Sequence, residues 1–111
     1  MARPKNISEI KACNRRYSKK TGREWWFDPG AMRFFNTKIQ RGVYQGKGGT
    51  FFVTAERMDS NYPYRYSVRE VKSNCAIDTR GPFNKIQTLQ DAREIAKHLS
   101  KGRSYTGFGK R

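Results

Sequence analysis

The residues of this chain whose type and spacing could act on another molecule are cations. Lys11, Arg15 and Lys19 follow one another at i,i+4, as do Arg16 and Lys20. Like charges at that spacing oppose helix formation by roughly 0.2–0.5 kcal/mol per pair, and an anion bound along the stripe would relieve the repulsion. At 100° per residue Ile7, Ile10, Cys13 and Tyr17 share one arc, and the five cations fill most of the opposite one. The segment therefore reads as a helix with one packing face and one cationic face. A solvated basic face is the ordinary fate of such a run, so the stripe gains weight only from the charge around it.

That charge is large. Twenty-four Lys and Arg against nine Asp and Glu leave a formal net charge of +15. The excess sits at the two ends: residues 1–24 hold eight basic and two acidic residues, and residues 101–111 hold four basic and none acidic, whereas residues 88–100 balance. A field of this kind opposes the compact state by self-repulsion and favours association with polyanions.

Catalytic chemistry has thin support. One histidine, His98, two distant cysteines and scattered carboxylates offer no nucleophile and base at suggestive spacing. Gly42 to Lys47 falls one residue short of the phosphate-loop pattern, and Gly48 stands where that pattern requires a hydroxyl. Glu56, Asp59, Glu70 and Asp78 show neither a D-x-D nor an E-x-K arrangement for a nuclease metal. No catalytic residue, metal or cofactor is expected. Cys13 and Cys75 lack CxxC spacing, and Cys13 lies on the apolar arc, so buried reduced thiols are expected in preference to a disulfide.

The elements that must position these side chains can be read from caps and periodicity. Asn6 and Glu9 resemble a capping box that starts the first helix near Ile7, and Thr21-Gly22 ends it. Trp25-Trp26-Phe27 reads as an extended aromatic run in which one tryptophan packs inward and the other is partly exposed. Asp28-Pro29-Gly30 reads as a turn between two extended pieces. Extended segments follow over 32–40, 43–45, 50–58, 64–72 and 75–79, with Gly46-Lys47-Gly48-Gly49 as a hairpin loop. Their tight connections suggest an antiparallel four-stranded meander. Thr88 and Asp91 cap a helix running to Ser100, with Leu89, Ala92, Ile95, Ala96 and Leu99 as its packing stripe and Gly102 past its end.

The fold class is thus α+β: basic helix, antiparallel meander, packing helix. Residues 1–102 form one domain, and the Gly-, aromatic- and Arg-containing residues 103–111 form a flexible basic tail. Alternation puts Phe51, Val53 and Ala55 on one sheet face and Thr50, Phe52, Thr54 and Glu56 on the other; Tyr64, Tyr66 and Val68 likewise oppose Arg65, Ser67 and Arg69. An open second face would offer Lys38, Arg65, Arg69, Phe34 and Phe52 to bases and phosphates. Two helices flanking a small sheet favour instead a first helix that covers this face and makes Phe34 and Phe52 core residues.

Met32-Arg-Phe-Phe-Asn-Thr-Lys-Ile39, Gly49-Thr-Phe-Phe-Val-Thr-Ala-Glu-Arg57, Tyr66-Ser-Val-Arg69, Ile77-Asp-Thr and Thr88-Leu-Gln-Asp-Ala-Arg93 together resemble small uncharacterised domains encoded by bacteriophages. The resemblance spans residues 31–99, leaves out the basic helix and tail, and carries no activity. It implies a phage protein acting in the cytoplasm of an infected bacterium. The lack of an apolar stretch near ~20 residues and of a signal-type leader points to the same compartment.

The functional expectation is a small non-enzymatic nucleic-acid-binding protein, phosphate-driven, with little sequence preference, taking RNA or DNA. Its contacts are Lys11, Arg15, Arg16, Lys19, Lys20, Arg23, Trp26, Lys38, Lys47, Arg65, Arg69, Lys101, Arg103, Lys110 and Arg111. The alternative is an inhibitor that docks its basic surface on an acidic host protein or defence complex. Neither a membrane nor a small-molecule substrate is expected as partner.

Overall fold

The computed structural model describes residues 3–81 and 83–103, as helices and an antiparallel sheet of five strands. In chain order these are α1 (Ile7–Thr21), α2 (Pro29–Phe34), β1 (Lys38–Ile39), β2 (Tyr44–Gly46), β3 (Gly49–Glu56), β4 (Arg65–Val71), β5 (Ile77–Arg80) and α3 (Leu89–Ser100). The α+β class and the meander stand as expected. The fifth strand arises because β1 and β2 are two pieces of one edge: Ile39 pairs with Thr54 and Tyr44 with Phe51 on the same side of β3. Between the pieces, Gly42 at φ 109° breaks the ladder. From β3 the order runs to β4 and β5, all antiparallel.

The helix limits follow local chemistry. Asn6 Oδ1 accepts the Glu9 N–H at 2.9 Å and Glu9 Oε1 accepts the Lys5 N–H at 2.8 Å, while Gly22 in the left-handed region closes α1. Thr88 Oγ1 accepts the Asp91 N–H at 3.1 Å at the start of α3. The Asp28-Pro29-Gly30 turn is a correction. Asp28 carboxylate oxygen Oδ2 accepts the Gly30 and Ala31 N–H groups and Pro29 occupies the first helical turn, so this triplet opens α2 rather than joining strands. Met32 to Phe34 are helical for that reason, and extended structure begins only at Lys38.

The sheet is covered on both faces. Phe51, Val53 and Val68 pack against Ala92, Ile95, Ala96 and Leu99 of α3; Phe52 and Val71 pack against Ile10 of α1 and Phe27. Double coverage is why every residue from Thr50 to Glu56 is buried, and why two adjacent phenylalanines, Phe51 and Phe52, both reach a core. The covering alternative therefore holds for Phe52, while Phe34 remains 74% exposed at the end of α2. The hairpin glycines serve the same packing: Gly48 N–H donates to the Ser100 carbonyl at 2.9 Å, and a Cβ on Gly46 or Gly48 would collide with the Ser100 or Leu99 carbonyl at the end of α3.

The thiols are also corrected. Cys13 and Cys75 form a disulfide across a separation of 62 residues, with Cα atoms 5.4 Å apart. The apolar arc of α1 sets Cys13 against the β4–β5 turn, and Cys75 itself sits at φ 75° with its carbonyl accepting from Asn14 Nδ2 at 3.0 Å. Sequence position could not bring the two together; the docking of α1 does. No described helix is long and apolar enough to cross a membrane.

Closing a loop of this length restricts the unfolded chain by about 4 kcal/mol in the chain-entropy model, and measured disulfides contribute about 2–4. Reduction, or Cys13→Ser with Cys75→Ser, is expected to lower the urea-unfolding free energy by about 2–4 kcal/mol. An unchanged midpoint would show that the disulfide adds nothing to the fold.

Candidate nucleic-acid interface

The cationic face of α1 is as the periodicity predicts. Ile10, Cys13 and Asn14 are buried, and Lys11, Arg15, Arg16, Lys19 and Lys20 are all exposed, with Arg23 exposed just beyond Gly22. Four of the nine carboxylates are engaged in ion pairs elsewhere. Ion pairs among the described residues join Arg69 to Glu56, Lys72 to Glu70 and Asp78, Arg80 to Glu70, and Lys97 to Glu94, and none involves α1. Lys19 and Lys20 in the last turn also face the negative end of the helix dipole.

One flank of this face runs along the aromatic segment. The Arg15 guanidinium lies 4.5 Å from the centre of the Trp25 ring and the Lys11 ammonium 5.9 Å from that of Phe27. The segment is not a strand. Asn14 Oδ1 accepts the Trp26 N–H at 2.9 Å and the Asp28 N–H donates to the Trp25 carbonyl at 3.1 Å, which folds residues 25–28 into a turn. The strand-like alternation expected of the tryptophans is therefore lost, and Trp25 and Trp26 are both half-buried. Buried Asn14, which no periodicity singles out, joins α1 to both the aromatic turn and the β4–β5 turn.

Arg69 is corrected most sharply. It is 5% exposed and enclosed on the α1 face of the sheet, out of reach of a backbone phosphate. Its Nη2 donates to Glu56 Oε2 at 2.6 Å and its Nε to Thr54 Oγ1 at 3.0 Å; Nη1 donates to Thr79 Oγ1. Ser67 Oγ donates to Glu56 Oε1 at 2.9 Å, completing the carboxylate. The guanidinium also meets the Trp26 and Phe83 rings, at 5.1 and 5.2 Å from their centres. The reason is register: Arg69 pairs with Phe52, and Glu56, Thr54 and Ser67 share its covered face, so the cation has a partner inside.

The remaining candidates divide between two ends of the sheet. Lys47, Lys101 and Arg103 are exposed around the hairpin and the end of α3, where Gly102 lies against the Lys47 side chain and Arg3 Nη1 donates to the Gly46 carbonyl. At the opposite end Lys38 is exposed and Arg65 half-buried, on strands either side of β3, with the Lys38 ammonium and the Arg57 guanidinium 4.9 and 5.0 Å from the centre of the Tyr64 ring. Arg57, Phe35 and Phe83 join this end without having been singled out by the sequence; their adjacency comes from the Arg57 N–H to Phe35 carbonyl bond of 3.0 Å and the Phe35–Phe83 ring contact. Lys110 and Arg111 lie outside the described residues.

Several clefts open on the surface of the described residues. One, about 410 Å³, lies beside the disulfide among Arg3, Glu70 and Lys72, where both signs of charge meet and no aromatic ring forms a wall. Another, about 300 Å³, has Trp25, Trp26, Met32, Phe35 and Phe83 as walls and Arg69 and Glu24 among its lining. Its rings adjoin the cations of α1, and it has the character of a binding groove. Among the described residues no cluster of three or more His, Cys, Asp or Glu side chains is placed to hold a metal ion.

A family model described as a family of unknown function (DUF7447) matches residues 6–97. The chain belongs to that family. Its span begins at the cap of α1, so the basic helix is part of the family domain, whereas the phage-like pattern over 31–99 left it out. Lys101 and Arg103 lie beyond the match. Comparison with curated proteins gave no match. Comparison with solved structures gave none either.

Removing one partner of a buried ion pair leaves the other charge uncompensated and costs about 3–5 kcal/mol. Arg69→Met is expected to destabilise by that amount in urea unfolding, whereas Arg65→Met, half-buried and outside any ion pair among the described residues, should change stability by less than about 0.5 kcal/mol. Equal effects would show that the interior pair is not the stabilising unit.

Proposed function

We propose that this protein binds nucleic acid without catalysis, chiefly through phosphate contacts made by the exposed cations of α1. The observation that carries the reading is the separation of charge. Lys11, Arg15, Arg16, Lys19 and Lys20 stand on one exposed face with no carboxylate paired to them among the described residues, while Glu56, Glu70 and Asp78 are held in ion pairs elsewhere. Mutually repelling cations on a rigid helix gain from a polyanion by releasing its condensed counterions. Arg23, Lys47, Lys101 and Arg103 extend the cationic surface at either end, with Lys38 and Arg65 as weaker, peripheral contacts. Base-edge readout is not part of this reading, because α1 presents long flexible cations instead of a bidentate array aimed at bases. RNA and DNA are both substrates in this sense.

The resemblance to phage-encoded domains extends the proposal to the cytoplasm of an infected bacterium. Thiols there are kept reduced, so binding is measured with the Cys13–Cys75 pair both closed and open. A second reading, docking on an acidic host protein, draws on one observation. Phe34, Met58 and Tyr62 are 74%, 49% and 57% exposed, and the Arg57–Phe35 backbone bond sets Met58 close to the end of α2. Large exposed apolar side chains beside cations suit a protein interface. That reading predicts capture of one acidic protein with feeble retention of polynucleotide.

A salt series tests the main reading. Lys11→Ala, Arg15→Ala and Lys19→Ala together are expected to weaken binding to random-sequence DNA and RNA and to lower the slope of log K against log salt by about 3, one per phosphate contact. The melting temperature should not fall, since repulsion within α1 is relieved. An unchanged slope would remove α1 from the binding surface.

A further inference from the structure

We propose that the groove between the Trp25–Trp26 turn and Phe83, floored by Arg69, receives one unstacked base of the bound strand. The inference rests on the nucleic-acid reading above and adds to it a base-binding site. Six of the groove's lining side chains are apolar or aromatic, and its volume of about 300 Å³ is that of a small-ligand site. Such walls suit a flat heteroaromatic ring, and stacking of this kind accepts any base because every base has a π-face.

The polar groups of the groove identify the ligand further. A guanidinium carries five N–H donors. Each nitrogen of Arg69 donates to one acceptor, Nε to Thr54, Nη1 to Thr79 and Nη2 to Glu56, and each of the two terminal nitrogens carries a second N–H. The indole N–H of Trp25 is buried and without an acceptor among the described residues. Buried donors left unmade cost free energy, so the missing partner is a group that brings acceptors. A phosphate would bring them, but it would also bring negative charge next to Glu56, whose Oε2 lies 2.6 Å from Arg69 Nη2. The Glu56 carboxylate already balances the cation, and the site therefore favours a neutral acceptor. A base supplies carbonyl oxygens and ring nitrogens at the rim of a planar apolar body.

The position is also right for a nucleotide. Trp25 is a groove wall and is the ring that Arg15 covers at 4.5 Å. Phosphates held along Lys11, Arg15 and Lys19 would thus run beside the mouth of the groove, and a base turned from that strand would meet the tryptophans.

The two tryptophans of the chain both line the groove, so their emission reports its occupancy. A short oligothymidylate is compared with an abasic strand of the same length and charge, each labelled for anisotropy, on the unmodified protein. Oligothymidylate should quench tryptophan emission and bind about tenfold more tightly than the abasic strand. Ala31→Phe places a ring at an exposed lining position of the groove and should erase that difference while leaving abasic binding unchanged. Phe83→Leu should reduce it. Equal affinities with unaltered emission, or a difference that survives Ala31→Phe in a protein with native circular dichroism, would overturn the base site and leave the phosphate reading intact. Retention of neither strand at low salt would overturn both.

Discussion

A carboxylate buried beneath a sheet must be matched by a cation at close range, and the pairing of Glu56 with Arg69 sets the terms for one whole face of this fold. Taking two charges out of water is costly, and the arrangement holds because each is hydrogen-bonded on more than one side: Glu56 by Arg69 and Ser67, and Arg69 by Glu56, Thr54 and Thr79. The two residues come from neighbouring strands in a fixed register, so a slip of either strand by one residue would turn its charge toward the α3 core and leave the other buried without its partner. The Trp26 and Phe83 rings enclose the guanidinium and thereby fix where the aromatic turn and the segment after β5 must pack.

From that constraint follows the distribution of everything else. The chain has nine acids, and five of them help hold the fold: Glu56 in the interior, Glu70 and Asp78 along β4 and β5, Asp28 at the start of α2 and Glu9 in the first turn of α1. The cations of α1 are left without internal partners and gathered on one exposed surface. A protein with +15 net charge whose α1 cations have no carboxylate paired to them among the described residues presents a strongly positive exterior there, and this is the physical basis of the proposed polyanion binding. Aromatic groove and cationic helix are then two parts of one surface, joined at Arg15 and Trp25.

What was legible in the sequence was what local chemistry decides. Asn6 and Glu9, Thr88 and Asp91, and the glycines after each helix mark α1 and α3 because caps act within a few residues. The alternation over 50–56 and 65–69 separates the two sheet faces correctly, since a strand has no other way to place its side chains. Asp28-Pro29-Gly30 misled because the same residues serve a turn and a helix start, and only the Asp28 cap decides between them. Trp25 and Trp26 misled because alternation applies to strands, and a hydrogen bond from the Trp26 N–H to Asn14 helps make the segment a turn.

The sequence by itself determined the cationic face of α1, the packing stripe of α3, the hairpin and the α+β class, all of which depend on spacing within one element. The tertiary structure alone decided the Cys13–Cys75 disulfide, the withdrawal of Arg69 into an ion pair with Glu56, and the groove whose walls come from residues 25–26, 32–35 and 83. Those features join residues far apart in the chain, and their partners are set by how helices and strands dock, which no local pattern encodes.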